Sequence, residues 1–429
     1  MADSDRLQST LRQLEIALEF AQYSALTDAD TLARLEEWKR RATAVLADLR
    51  VRPQPHLALS VQAQVVFSVA HFDGEGPWIS EDAGRDAKGI LQLYSAPEVS
   101  LLQEILSRHV KPVFHANPHP SLNPSTGRKL SRAAGGPLAH LDHLEGQTWK
   151  LHTGIVNTLS WCLRHSSSIV YEKLWHLIIP PVMTMLDDYE APQKMHGIRL
   201  VTEMLQEVPA DLLCRTGVDR LLSSSLKTCL TFLHSPETPS LIRAAVCTFV
   251  SLTLRTTPPG SEERFNQLCG ILGDGIIGGV WIYAARDADA IEASVDVLPM
   301  AVQALGIGSV RYLKGIVPQL IYPLTPAPEN VATKQLQFSS LRALAVVIRE
   351  CAPRMHKWKG VILEGVLKCW VSLIDVGTSD KETLQLKDAL KGIASSLLKA
   401  CPSMAQVEYA RLLEMDEQMF GPLVRLETA

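Results

Sequence analysis

The groups with most chemical potential in this sequence are the histidines His109, His115, His119, His140, His143 and His152, gathered around one segment. Converging imidazoles bind zinc when ordered backbone holds them at fixed spacing. Here prolines separate most of them and the segment has no cysteine, so a His-rich loop is the simpler reading and no metal is expected. The run Gly270-Ile271-Leu272-Gly273-Asp274-Gly275-Ile276-Ile277-Gly278-Gly279 has the composition of a phosphate loop. A dinucleotide loop needs a strand before it and a helix after it. The preceding Glu262 to Cys269 has helical spacing and no Gly-Lys-Ser/Thr follows, so helix distortion or a close helix contact is predicted, with no cofactor.

The remaining candidates are charged or nucleophilic. Ser224 and Lys227 have the Ser-x-x-Lys spacing of some acyl-enzymes but no companion motif. Asp187-Asp188-Tyr189-Glu190, with Lys194 and His196 beyond, would need a pocket and shifted pKa values to act as acid and base. Carboxylates that cap a helix N-terminus are the plainer reading. Thr126 to Arg132 is a basic run suited to an acidic partner or to solvent, and Arg311 and Lys314 share one helical face. No zincin, nucleophile-elbow or kinase motif occurs, and the chain reads as a non-enzyme.

The elements that must position these residues are helices. The chain has 429 residues, 46% of them hydrophobic but only 6% aromatic, and Leu and Ala dominate. Leu7, Leu11, Leu14 and Leu18 predict a helix over Ser4 to Phe20, and a second spans Thr27 to Leu49 with a Thr27-Asp28 cap. Leu57, Val61, Val65 and Val69 predict a third, and Ile90 to Val110 a fourth, after a loop from His71 to Ala87. Beyond Trp149 the helices come in pairs, with breakers at Asp187-Asp188, Ser235-Pro236, Thr325-Pro326 and Gly377-Thr378. That recurrence, roughly every 40 to 50 residues, is the period of HEAT helix pairs. The expected fold is therefore all-α, a HEAT/armadillo-type superhelix of helical hairpins. It divides into an N-terminal helical region (1–110), a Pro/Gly/His-rich loop (111–147) and a solenoid (148–420).

Forty-two basic residues against 46 acidic ones give a net charge of −4, which argues against nucleic acid as main partner. No basic, then apolar, leader opens the sequence, and no uninterrupted apolar run approaches the ~18 residues of a membrane helix. A cytoplasmic and nuclear protein with no membrane partner is expected. The eight cysteines include no Cys-x-x-Cys pair and read as buried free thiols.

Leu159-Ser160-Trp161 through Trp175, Ile179-Pro180, Asp187-Asp188-Tyr189, Lys194 and Gly197 resemble the Tel-two-interacting protein two family. The similarity continues through Val208 to Leu213, Leu230 to Leu252, and Leu305-Gly306-Ile307 with Val310-Arg311-Tyr312-Leu313-Lys314. It covers Trp149 to Leu373 and is weak in the N-terminal third. The resemblance implies a scaffold subunit of the TTT co-chaperone complex, partnered by the Tel-two protein and Tel-two-interacting protein one. It implies indirect links to the ninety-kilodalton heat-shock chaperone and to phosphatidylinositol-kinase-related kinases, which serve DNA-damage, telomere and growth signalling. No catalytic residue carries over. Asp187, Asp188, Tyr189, Lys194, Arg311 and Lys314 are the expected surface contacts, and Gly197 is expected at a close helix packing. The alternative, a transport-type solenoid holding a cargo peptide in its groove, would need a ladder of Trp and Asn that the sequence does not show.

Overall fold

The computed structural model describes residues 2–20, 28–51, 57–114, 118–136, 138–145, 147–326, 333–375, 377 and 380–425. Among them every regular element is helical, and the β pairing consists of one antiparallel bridge, Leu122 to Lys129. The all-α hairpin architecture expected from the apolar stripes is thus the observed one. The chain forms two compact units, Met1–Leu222 and Ser223–Ala429. Their boundary lies within helix Val218–Cys229, so the segment 111–147 belongs to the first unit.

In the first unit, Ala29–Val51 packs on Glu81–Leu91, and Leu59–Ala70 packs on Val99–Ile105. Ser168–Leu186 and Ala191–Glu207 form the tightest hairpin, and Ile155–Arg164 lies against the latter. Several boundaries differ from the sequence expectation. Residues 81–87, expected as loop, open the helix Glu81–Leu91 because Ser80 accepts the amide of Ala83 and Glu81 and Asp82 fill the first turn. The first helix stops at Arg12, and only a short 3-10 turn, Leu18–Phe20, follows. Asp28 does cap the second helix, bonding the Thr31 amide at 3.2 Å, whereas Thr27 lies outside the described residues.

In the second unit, Thr238–Thr256, Ala288–Leu305, Lys334–Glu350, Lys381–Ala400 and Glu417–Val424 stack in that order. Leu313–Ile321 and Lys359–Asp375 make a second layer, each packed on the helix that follows it. Side-chain caps start four of the stacked helices, where Asp287, Thr333, Asp380 and Asp416 each accept backbone amides, while Thr238–Thr256 starts without one. The interior is aliphatic, with Leu298, Leu344, Val347 and Leu390 fully enclosed; each such side chain contributes about 1.5–3 kcal/mol. A polar clamp joins neighbouring repeats, as Asp296 accepts Arg243 Nη2 at 2.8 Å and Arg342 Nη2 at 3.2 Å.

The glycine run is a π-helix, Gly270–Val280, continuing Glu262–Cys269, so both predicted features, distortion and close approach, are present. A Cβ at Gly273 would lie 2.7 Å from the Tyr312 hydroxyl, and one at Gly275 2.7 Å from Leu230 Cδ1. Two stretches of this unit, Glu262–Tyr283 and Ala288–Leu324, are long and apolar enough on average to cross a membrane. The second is broken by a 3-10 segment, Gly306–Tyr312, and its helix Ala288–Leu305 packs between Thr238–Thr256 and Lys334–Glu350.

Candidate partner-binding site

The Asp187–Lys194 turn closes the hairpin between Ser168–Leu186 and Ala191–Glu207, and the hairpin closes tightly because of Gly197. A Cβ there would lie 2.4 Å from both N and Cα of Leu186. With the helices so close, Lys194 runs inward. It is 2% exposed, and its Nζ donates to the Leu186 carbonyl at 2.7 Å, satisfying an acceptor at the helix C-terminus that has no intrahelical donor.

Asp188 is also enclosed, at 1% exposure. Its Oδ1 accepts the Glu190 amide at 2.8 Å and Lys150 Nζ at 3.0 Å, while Oδ2 lies 2.9 Å from the same ammonium. Lys150 also donates to Glu190 Oε1 at 3.1 Å and lies 4.4 Å from the ring centre of Tyr189. Burial works against charge on Lys150, yet the bonds to Asp188 and Glu190 outweigh it and hold its pKa above the ordinary lysine value. Tyr189 is 57% exposed.

Asp187 faces the other way. Its Oδ2 pairs with His119 Nε2 at 2.8 Å. His119 Nδ1 accepts the Ser121 amide at 3.1 Å, which places the proton on Nε2 and makes that atom the donor to Asp187. His143 stacks edge-on against His119, with centroids 5.0 Å apart. The loop carrying His119 is pinned to helix Ser168–Leu186: Trp175 Nε1 donates to the Gly127 carbonyl at 3.1 Å, and Gly127 has φ +65°. A Cβ there would meet Trp175 at 2.9 Å, so glycine serves both the turn and the contact. Lys129 donates its amide to the Thr216 carbonyl at 2.9 Å, fixing the loop's far end.

The remaining sequence candidates are dispersed. His109 stacks on Phe67, and His115 lies outside the described residues. Among the described residues no group of three or more His, Cys, Asp and Glu converges as metal ligands would. Lys227, from the Ser-x-x-Lys spacing, sits 5.3 Å from the Phe249 ring. Arg311 and Lys314 are exposed in the second unit, where Arg311 lies 5.9 Å from the Phe265 ring and 3.7 Å from Cys269 Sγ.

Thus Asp187, Asp188, Tyr189 and Lys194 do meet at one turn, but the surface placement expected for all of them is corrected for Asp188 and Lys194. Both are buried because a close-packed hairpin turns their polar atoms onto its own backbone and onto Lys150. Tyr189 is the exposed group, rimmed by Glu190. Lys150 and His119 carry the turn's electrostatics; Lys150 was missed, and His119 was noted only as a member of the His-rich segment, without its pairing to Asp187. Each comes from a segment distant in sequence, and neither shows a local motif.

The fold and this turn define a helical-hairpin solenoid of the HEAT type. The chain belongs to the Tti2 family, whose model matches residues 65–328. TELO2-interacting protein 2 of Mus musculus is 23% identical over 245 residues, covering 56% of this chain and 46% of that protein. The Rattus norvegicus protein of that name is 23% identical over 231 residues, covering 53% and 43%. The chain therefore spans about half the length of the curated relatives it matches. A chain from a solved structure of Kap95p binding to RanGDP superposes with a TM-score of 0.52, at 14% identity, over 96% of this chain and 44% of that one. At that identity the likeness is one of fold alone.

Proposed function

We propose that this chain is a non-catalytic scaffold subunit of the TTT co-chaperone complex. Its direct partners are the Tel-two protein and Tel-two-interacting protein one. Through them it supports the folding and stability of phosphatidylinositol-kinase-related kinases alongside the ninety-kilodalton heat-shock chaperone, in cytoplasm and nucleus. The observation that carries the reading is the Tti2 family match over residues 65–328, which contains the whole Asp187–Gly197 turn. The chemistry of that turn agrees with it: its carboxylates and ammonium groups are occupied by one another and by backbone, which builds a rigid surface. Apolar area between solenoids supplies affinity in such a complex, and rim charges set register. Exposed Tyr189 with half-buried Glu190 beside it on the first unit, and exposed Arg311 and Lys314 on the second, are the contacts we assign to partners.

The test is affinity purification of the tagged protein from its own cells with quantitative identification of what accompanies it. Enrichment of both TTT subunits is expected. Recovery of neither, with the tagged chain folded and abundant, would remove the reading.

A further inference from the structure

One cleft of the first unit shares only His119 with the turn. Its volume is about 190 Å³ and its walls come from Phe114, Leu122, Pro124, Leu177, Pro180 and Pro181, with Lys111, His119 and His176 among them. The geometry points to this cleft as the docking site for an acidic segment of a partner protein, which inserts one large apolar side chain between the prolines and lays its carboxylates on the surrounding basic groups.

The apolar walls supply the first half of that recognition. Enclosing one aromatic or leucine side chain removes enough surface from water to anchor a peptide. The prolines add a main-chain element. Pro180 and Pro181 have no N–H, so the carbonyls of His176 and Leu177, one turn earlier, receive no amide from those positions. Main-chain N–H groups of an inserted segment can use such acceptors.

The charge around the cleft supplies the second half. Lys111 lines it, and the Thr126–Arg132 run directly follows Pro124 and Ser125, which make part of one wall. Lys111, Arg128, Lys129, Arg132 and Lys173 are all exposed. None of them has an ion pair among the described residues, whereas the nearby carboxylates are engaged: Glu172 and Asp211 with Arg215, and Asp187 with His119. Trp175, bonded to the Gly127 carbonyl, fixes Arg128 next to the helix turn that carries His176. Burial, and then the charge of Lys111, hold the His176 pKa below the ordinary value. Unpaired positive charge beside an apolar slot, in a chain of net charge −4, is complementary to an acidic peptide with an apolar anchor.

The inference deepens the scaffold reading and rests on it for its biological use, but peptide binding can be measured on the purified full chain alone. The probes are fluorescein-labelled peptides of Glu and Asp with one central Phe or Leu, together with counterparts carrying Lys for Glu and Asp, or Gly for the anchor. Fluorescence anisotropy is read for the wild-type chain and for Lys111→Glu and Ser125→Trp, substitutions at two exposed positions that line the cleft, with the folding of each variant checked by thermal melting. The acidic, anchored peptides are expected to bind, more weakly as salt rises, and about ten-fold more weakly to each variant. Equal binding of acidic and basic peptides, no binding of either, unchanged binding by both variants, or full displacement by a single-stranded oligonucleotide would overturn the proposal. Co-purification of the TTT subunits with a chain that binds no peptide would sink the cleft while sparing the scaffold. Peptide binding by a chain that recovers neither subunit would do the reverse.

Discussion

Gly197→Ala adds one methyl group at the closest helix contact in the first unit. The new Cβ would lie 2.4 Å from N and Cα of Leu186 and 2.8 Å from the Met185 carbonyl carbon, all of them backbone atoms that no rotamer change can move aside. Ordinary contact begins near 3.4 Å, so the helix Ala191–Glu207 must retreat by about 1 Å, a gap that forfeits a quarter to a half of the dispersion well of each opposed pair. Overpacking of this kind costs about 1–3 kcal/mol. Ala recovers about 0.5–1 kcal/mol through helix propensity. With Ile198, Val201 and Met204 all buried on the retreating face, the packing loss falls at the upper end and the net effect is about 2 kcal/mol of destabilisation. For a unit of this size that lowers the melting temperature by about 4–8 °C. Gly392→Ala is the internal control. Nothing lies within 4 Å of its Cβ position, in the exposed middle of Lys381–Ala400, and a gain of about 0.5–1 kcal/mol is expected there. Calorimetry of the two variants should show shifts of opposite sign. A Gly197→Ala protein that melts at or above the wild type would refute the close hairpin and, with it, the inward course of Lys194.

Lys194→Met leaves the Leu186 carbonyl without its 2.7 Å donor and should cost about 1–3 kcal/mol in denaturant unfolding, with faster amide exchange at the end of Ser168–Leu186; unchanged unfolding would contradict a structural role. His71 has its pKa pushed down to about 4 by burial and then by His152 and His109, against an ordinary value of 6.5. The unfolded chain therefore takes up this proton first as pH falls. The stability His71 allows is complete above pH 6.5 and is lost on the way down to pH 4, by about 3 kcal/mol. His71→Leu should flatten that acid limb in melting curves taken across the window, and an identical slope would show that other groups set it. Trp175→Phe removes the indole bond to the Gly127 carbonyl, worth about 0.5–1.5 kcal/mol of loop anchoring. Trypsin should then cut after Arg128, Lys129 or Arg132 several times faster, while cleavage elsewhere keeps its wild-type rate.

The helical architecture was readable because it rests on local signals. Val218, Leu222, Cys229, Leu230 and Leu233, and Leu386, Leu390, Ile393 and Leu397, fall into apolar stripes by spacing alone and are all buried, while Leu221 of the first stripe is half-buried. Gly197 was legible too, as a glycine in the middle of an amphipathic helix. The helix Glu81–Leu91 was missed because Gly74, Gly76 and Pro77 drew the expected loop too far, past the Ser80 cap. At the candidate site the sequence located the turn but not the direction of its side chains. Whether Lys194 points out or in depends on how closely two helices approach, a tertiary distance that periodicity does not encode. Lys150 pairs with Asp188 across 38 residues, and His119 with Asp187 across 68, without any local pattern. The cleft was half visible: the Thr126–Arg132 run was noted as basic, but the Trp175–Gly127 bond that sets it against Trp175 and His176 appears only once the loop is folded.

The scaffold role is tested most directly by mixing the purified full chain with purified Tel-two protein and Tel-two-interacting protein one and weighing the products by mass photometry. A stoichiometric assembly containing all three is the expected result, weakened when Tyr189, Glu190, Arg311 and Lys314 are replaced together by Ala in a chain that still melts like the wild type. A chain that stays at its own mass beside both partners, while remaining fully folded, would contradict the account.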